Sequence, residues 1–258
     1  MIIQKKILRN ILFLDIETAS NVPSFDDLDD VLKLLWTKKS KKFLTDKSIE
    51  ITEEMASVFY DQKAAIFAEF GRVVCISVGY LANKRNETPK LRLKSFAGEE
   101  RLLLSAFSEL LNAHYDNPET DYISGHNIKE FDIPFLCRRM VIHGLSLPRL
   151  LHVSGKKPWQ VTYLLDTLVM WRFGDYKSYS SLLLLASVLG ILSPKDDIDG
   201  SQVSNVFWKE NGIERIITYC EKDVVTVVQI IMKFSGMDII NDDEIEIIPM
   251  YLGSSEEE

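Results

Sequence analysis

A short apolar run that meets two carboxylates constrains this chain more than any other feature. Ile11-Leu12-Phe13-Leu14 continues into Asp15-Ile16-Glu17, and the stretch from Ile7 to Ile16 reads as a buried strand that ends at the acidic pair. Residues two apart on a strand leave the same face, so Asp15 and Glu17 project together. That is the geometry for two carboxylates converging on one metal ion. The carboxyl end of such a strand is also where open α/β sheets bind ligands. Taken alone, the same three residues are better described as a solvated strand end.

The composition, 46% hydrophobic and 26% charged, suits a globular chain with a sizeable core and excludes a disordered one. No apolar run reaches the length of a membrane span. The first residues, Met1 to Lys6, carry no signal-peptide core, so a cytoplasmic protein is expected. Cys75, Cys137 and Cys220 are widely spaced and point to neither a disulfide framework nor a zinc site. The net charge of −8 argues against broad, sequence-independent binding of nucleic acid. It leaves room for a cluster of metal-binding carboxylates, whose own charge the bound cations offset.

The segment 24–69 differs from its surroundings. It is charged and has helical spacing at Asp27, Asp30, Val31, Leu34 and Leu35, so a helical insertion after the first strand is expected. Strands are predicted over 70–81 and 91–96, joined by a hairpin at 83–89, with brief strands at 122–125 and 163–166. Helices are predicted from Gly98-Glu99-Glu100 onward, over 134–143, over 180–189 and over 213–234. The pattern gives one α/β domain over 1–240, with a mixed central sheet flanked by helices. An acidic C-terminal tail over 241–258 is expected to follow.

Two further acidic positions stand out. Asp132 follows Gly125-His126-Asn127 and precedes Ile133-Pro134. An aspartate there is often a helix N-cap. Tyr219 and Asp223 are four apart on the last predicted helix and therefore share a face, where the hydroxyl can position a water and the carboxylate can hold a metal. Hard oxygen ligands favour Mg²⁺ or Mn²⁺ over zinc, and two such ions can activate a water and clamp a scissile phosphate. Asp166 reads as a structural cap, and Glu221 and Lys222 as solvated residues.

In this order the fragments resemble the DEDD superfamily of 3′–5′ exonucleases, which has an RNase H-like fold. Asp15-Ile16-Glu17 resembles its first motif. Asn127-x-x-x-Phe131-Asp132 is similar to the second, in the form found in family B DNA polymerases, and Tyr219-x-x-x-Asp223 to the third, of the tyrosine (DEDDy) subtype. The histidine subtype would need histidine where Thr218 stands. The resemblance runs from about Ile11 to Phe234 and is strongest to a stand-alone bacterial group of predicted family-B-polymerase-like exonucleases. It implies two Mg²⁺ or Mn²⁺ ions held by Asp15, Glu17, Asp132 and Asp223, with Asp15 bridging both. It further implies that Tyr219 orients the attacking water and that Thr18, Asn127 and Phe131 contact the substrate. The implied reaction is metal-dependent hydrolysis at the 3′ end of single-stranded DNA, releasing nucleoside 5′-monophosphates. An exoribonuclease with the same site, or a non-catalytic nucleic-acid-binding module, are the alternatives. With no polymerase segment after the third motif, a separate polymerase or repair protein is the expected partner.

The region 154–179 interleaves Lys156, Lys157, Arg172 and Lys177 with Trp159, Trp171, Tyr176 and Tyr179. Basic residues among aromatics suit phosphates and unstacked bases, which makes Lys156 and Lys157 candidate substrate contacts. An ordinary loop with core aromatics fits equally well.

Overall fold

The computed structural model describes residues 3–82, 89–177, 179–191, 197–249 and 251–253. The chain begins with a 3₁₀ turn, Lys5–Asn10, and strand β1 follows at Ile11–Ser20. The strand expected over 7–16 is thus shifted. Its first residues coil because Arg9 and Asn10 interrupt the apolar run, and only Leu8 of the turn is buried. At its other end β1 stays extended to Ser20 because Phe13 to Ser20 pair antiparallel with a neighbouring strand.

The segment after β1 is helical, as its spacing predicts. Helices α1 (Asp30–Ser40) and α2 (Glu53–Lys63) lie within it. Strands β2 (Gly71–Ala82) and β3 (Lys90–Gly98) come next and pair antiparallel. The expected hairpin residues 83–88 lie outside the described residues. Then come α3 (Glu100–His114), β4 (Tyr122–Gly125), α4 (Asp132–Ile142), β5 (Leu164–Asp166), α5 (Thr167–Arg172), α6 (Leu182–Val188), α7 (Val203–Lys209) and α8 (Ile213–Phe234). The stretch expected to be an acidic tail from 241 instead adds two short strands. These are β6 (Ile245–Ile247) and β7 (Tyr251–Gly253), both parallel to β3. Lining up on the free edge of β3 satisfies backbone groups that the acidic composition did not reveal. No described helix is long and apolar enough to cross a membrane.

The sheet is mixed, in the order β5-β4-β1-β2-β3-β6, with β7 also on β3. β1 sits centrally, parallel to β4 on one side and antiparallel to β2 on the other. Leu12, Leu14 and Ile16 point to one face and pack with α3 and α4, through Leu103, Phe107, Phe135 and Leu136. Ile11 and Phe13 point to the opposite face, where α8 lies with Val224, Val227 and Ile231. Layers on both faces explain why this strand is apolar throughout. Gly79 of β2 lets α8 come close: a Cβ there would stand 3.0 Å from both Val224 and Leu93 side chains.

The insertion has its own aromatic core, with Trp36 edge-on to Tyr60 and Phe70, and the Trp36 indole N–H donating to the Ala56 carbonyl at 2.8 Å. A buried ion pair joins α3 to α4, and its arginine also reaches the end of the insertion. Arg139 donates to Glu100 (Nε to Oε1, 2.8 Å) and to the Ala68 carbonyl (2.9 Å). Glu100 also accepts from the Val73 amide at 2.8 Å and lies 2.7 Å from His143 Nε2. Burial alone raises the Glu100 carboxyl, but Arg139 and His143 outweigh it and hold the group below its usual value. Glu100→Ala would strand the Arg139 guanidinium in the core, and is expected to cost about 3–5 kcal/mol in urea unfolding. Glu100→Leu combined with Arg139→Met should recover most of that loss; a single-mutant cost below about 1 kcal/mol would remove the pair from the fold's supports.

Candidate active site

Asp15 and Glu17 lie inside β1, not at its end. The parallel partner β4 runs only from Tyr122 to Gly125, so beside the acidic pair one flank of β1 is open. The pair therefore sits at the carboxyl end of the parallel half of the sheet, although β1 itself continues. On the other flank a bulge falls between Glu17 and Thr18: Glu17 faces Cys75 while Thr18 faces Val73. A bulge at this point increases the local twist and re-aims the side chains beside it. Thr18 is buried in the strand.

α8 crosses the same face and presents Tyr219, Cys220 and Asp223 toward β1. Cys220 Sγ donates to the Asp15 carboxylate (Oδ2, 3.3 Å) and to its backbone carbonyl (3.4 Å). Ligand atoms of Asp15, Glu17 and Cys220 all lie within 4.8 Å of one another. Tyr219 is half-buried and packs beside Ala19, Ile216 and Cys220.

Asp132 arrives from the opposite helical layer and is only 4% exposed. It is the first residue of α4, and the N-cap position belongs to Phe131, so the competing reading of Asp132 as an N-cap does not hold. The reason is local: the Ile133 amide is satisfied by the Ile128 carbonyl. That leaves the Asp132 carboxylate uncommitted to the α4 amides, and the nearby backbone amides of Asp132 and Ile16 lower its pKa. Phe131 packs against Phe135, with centroids 5.6 Å apart.

The turn between β4 and α4 is built to return the chain to β1. Gly125 is obligatory, since a Cβ would lie 2.1 Å from the Ile128 side chain and 2.6 Å from the Leu14 carbonyl. Asn127 takes a left-handed backbone (φ 62°), and its side-chain oxygen is buried without a hydrogen-bond partner among the described residues. Asp166 fixes this turn. Its carboxylate accepts the amides of Asn127 (3.0 Å) and Lys129 (3.1 Å), and those of Leu168 (3.0 Å) and Val169 (3.3 Å) at the start of α5. The expected capping role is thus observed, with a second clamp added. His126 spans the Thr167 hydroxyl and the Ser180 carbonyl, both at 2.9 Å, and its burial lowers its basicity.

Burial pushes the Asp15 carboxyl well above the ordinary value, and the charges of Asp223, Glu17 and Asp132 push it further; the Cys220 hydrogen bond opposes them. Glu17 is raised by burial, then by Asp223, Cys75 and Asp132. Asp132 is pushed up to about 7, first by burial, with Asp166 and Asp223 adding to it and the two amides opposing. The structure thus brings the four carboxylates into electrostatic contact. A set of hard, mutually repelling oxygen donors, buried at Glu17 and Asp132 and half-buried at Asp15 and Asp223, fits a divalent cation, which would bring the opposite charge to all of them.

Lys156 and Lys157 do not enter this cluster. They lie in the exposed connection from α4 to β5, with the Lys156 ammonium 5.7 Å from the Tyr163 ring centroid. Glu221, expected to be solvated, instead accepts the Ser95 hydroxyl at 2.7 Å and is raised mainly by burial. Sequence reasoning missed the Cys220 thiol and the Gly125 close approach. The only hint of the first was a cysteine three residues before Asp223, on the same helical face.

A family model described as a predicted 3′–5′ exonuclease related to the exonuclease domain of PolB matches residues 66–244, more than half of the chain. Asn127, Asp132, Tyr219 and Asp223 fall inside that span, and Asp15 and Glu17 precede it. Among solved structures, the family B DNA polymerase from the hyperthermophilic archaeon Pyrobaculum calidifontis superposes with a TM-score of 0.53 at 17% identity. The match covers 86% of this chain and 24% of that one, so the chain spans about a quarter of the polymerase's length and shares its fold there. No curated protein matches the chain.

The raised carboxyls give the metal-free protein a defined pH dependence. Between its unfolded value near 4 and its folded value near 7, Asp132 keeps its proton in the native state while the unfolded chain gives it up. Native stability therefore falls as pH rises through that window. Thermal melts in a chelator should show a lower Tm at pH 8 than at pH 5, and added Mn²⁺ should raise Tm more at pH 8. Asp132→Asn should flatten the slope; equal Mn²⁺ shifts at both pH values would contradict this account.

Proposed function

Since the chain belongs to the family of predicted 3′–5′ exonucleases related to the exonuclease domain of PolB, we propose that its four clustered carboxylates form a two-metal site. The substrate we assign to this site is the 3′ end of single-stranded DNA. The observation that carries the proposal is the convergence of Asp15, Glu17, Asp132 and Asp223 from β1, α4 and α8 into one electrostatically coupled cluster. Exonuclease domains of this kind use divalent metals, and such ions supply an activated water and charge compensation for the phosphate.

In this reading Asp15 faces both ions, Glu17 and Asp223 complete the site on the side of the attacking water, and Asp132 supports the other. Tyr219, one helical turn before Asp223, holds the water by its hydroxyl in line with the scissile bond. Thr18 and Phe131 flank the terminal nucleotide. The unpartnered Asn127 oxygen accepts a hydrogen bond from the terminal 3′-hydroxyl, a donor that a phosphorylated end lacks. Lys156 and Lys157 hold phosphates farther along the strand. The product is a nucleoside 5′-monophosphate, and a separate polymerase or repair protein would supply or extend the trimmed end.

The test is a time course on 5′-labelled single-stranded DNA and RNA, with Mg²⁺ or Mn²⁺ against a chelator. The wild type should give a metal-dependent ladder that shortens from the 3′ end of DNA. Asp15→Asn and Asp223→Ala should each slow it at least about 100-fold while the far-ultraviolet circular dichroism stays native. Wild-type turnover in either variant would sink the assignment, and a ladder on RNA alone would move the substrate.

Lys156→Ala and Lys157→Ala should weaken single-strand binding about equally for all sequences. Each should lower the slope of log affinity against log salt by about 0.7. An unchanged slope would remove the two lysines from the strand path.

A further inference from the structure

Three aromatic rings stand in solvent on the segment that leaves α5. Phe173 is 75% exposed, Tyr176 83% and Tyr179 63%. Large rings ordinarily supply core or interface contact, so three in water on one short segment call for a partner. Phe173 also holds a left-handed backbone, φ 45°, which is uncommon for a bulky residue. Its amide bonds back to Met170 and that of Asp175 to Arg172, so the close of α5 sets its direction.

The segment is tied at both ends to the turn that delivers Asp132. On entry, Arg172 lies 3.7 Å from Glu130. On exit, the Ser180 carbonyl is bonded to His126. Asp166 caps the helix that carries the segment and clamps Asn127 and Lys129 in the same turn. The rings are thus mounted on the same frame as one of the site's carboxylates. Trp171, by contrast, stacks on Phe234 with an interplanar angle of 3° and belongs to the core.

We propose that Phe173, Tyr176 and Tyr179 form a platform on which unpaired bases stack, and that it makes the enzyme select single-stranded ends. The proposal rests on the exonuclease reading above. Single strands offer free base faces, which aromatic side chains bind without regard to sequence, whereas a duplex buries those faces in its own stack. Lys177, between Tyr176 and Tyr179 in the sequence, supplies a cation for the intervening phosphates. The exposed α6 side chains Leu183 and Leu184 adjoin the segment, and a second copy of this chain is the competing occupant.

The experiment uses the full chain carrying Asp15→Asn, so that the strand is not consumed. Fluorescence anisotropy would follow binding of an oligothymidylate and of an equally long strand with abasic sites through its 3′ half. Phe173→Ala, Tyr176→Ala and Tyr179→Ala should each weaken the thymidylate complex roughly 10-fold and leave the abasic complex within about two-fold. Tyr176→Phe should bind like the parent. Equal losses on both strands, or none, would overturn the platform. So would a concentration-dependent dimer in sedimentation that these variants dissociate while strand binding stays unchanged. Cleavage by the chain without Asp15→Asn separates the two ideas. If it trims DNA while the ring variants bind normally, the platform alone fails. If it releases no nucleotide, the exonuclease reading fails, and the base-dependent binding still decides the platform.

Discussion

Like charges gathered in a buried seam are the costly feature around which the rest of this fold is arranged. Asp15 and Glu17 offer oxygens within 4.8 Å of each other. At an effective dielectric of about 20, two full charges at that range repel by roughly 3 kcal/mol, and Asp132 and Asp223 add to it. A flexible frame would relieve the strain by moving the groups apart. Here each carboxylate is mounted on an element with an independent anchor. β1 is packed on both faces, α8 is seated closely over Gly79, and α4 is held by the Glu100–Arg139 pair. The cost of ionising the set is therefore retained in the native state, where a divalent cation held among the carboxylates would offset it.

Asp166 shows how environment separates the roles of chemically identical side chains. It is as buried as Asp132 and near it in space, yet it accepts four backbone amides. Its lone pairs are committed to the protein, and it acts as a clamp. Among the described residues Asp15 receives the weak Cys220 thiol bond, and the amides near Asp132 only partly offset its burial. Their remaining capacity is directed into the seam. Counting donors around each carboxylate thus separates Asp166, committed to the scaffold, from the carboxylates proposed as ligands, where residue type and burial do not.

The sequence was most legible where function follows short-range periodicity. The two-residue spacing of Asp15 and Glu17 and the four-residue spacing of Tyr219 and Asp223 put each pair on one face because strand and helix geometry leave no choice. The bounds of α8 could be read from its apolar stripe, and those of β4 from its short β-rich run before a glycine. The α/β class followed from the order of the elements, and the RNase H-like fold from the resemblance carried by the three acidic motifs. What could not be read depends on contacts between distant residues. The thiol of Cys220 meets Asp15 across 205 positions, and β6 and β7 join β3 across more than 150. The path into α4 was illegible for the same reason, because the Ile128 carbonyl that takes the Ile133 amide belongs to a turn fixed by Asp166.

The acidic balance of the chain also bears on recognition. A net charge of −8 leaves little long-range attraction for a polyanion, so binding that relied on phosphates alone would be weak. Cations held among the carboxylates would reverse the local sign only at the site itself. Affinity for the rest of a strand must then come from contacts that do not depend on net charge, and exposed aromatic rings provide such contacts. Because base stacking requires unpaired bases, the same contacts that compensate for the unfavourable charge would restrict the enzyme to single strands. On the proposed reading, carboxylates that would hold cations and an aromatic surface that would hold open strands are complementary parts of one selectivity.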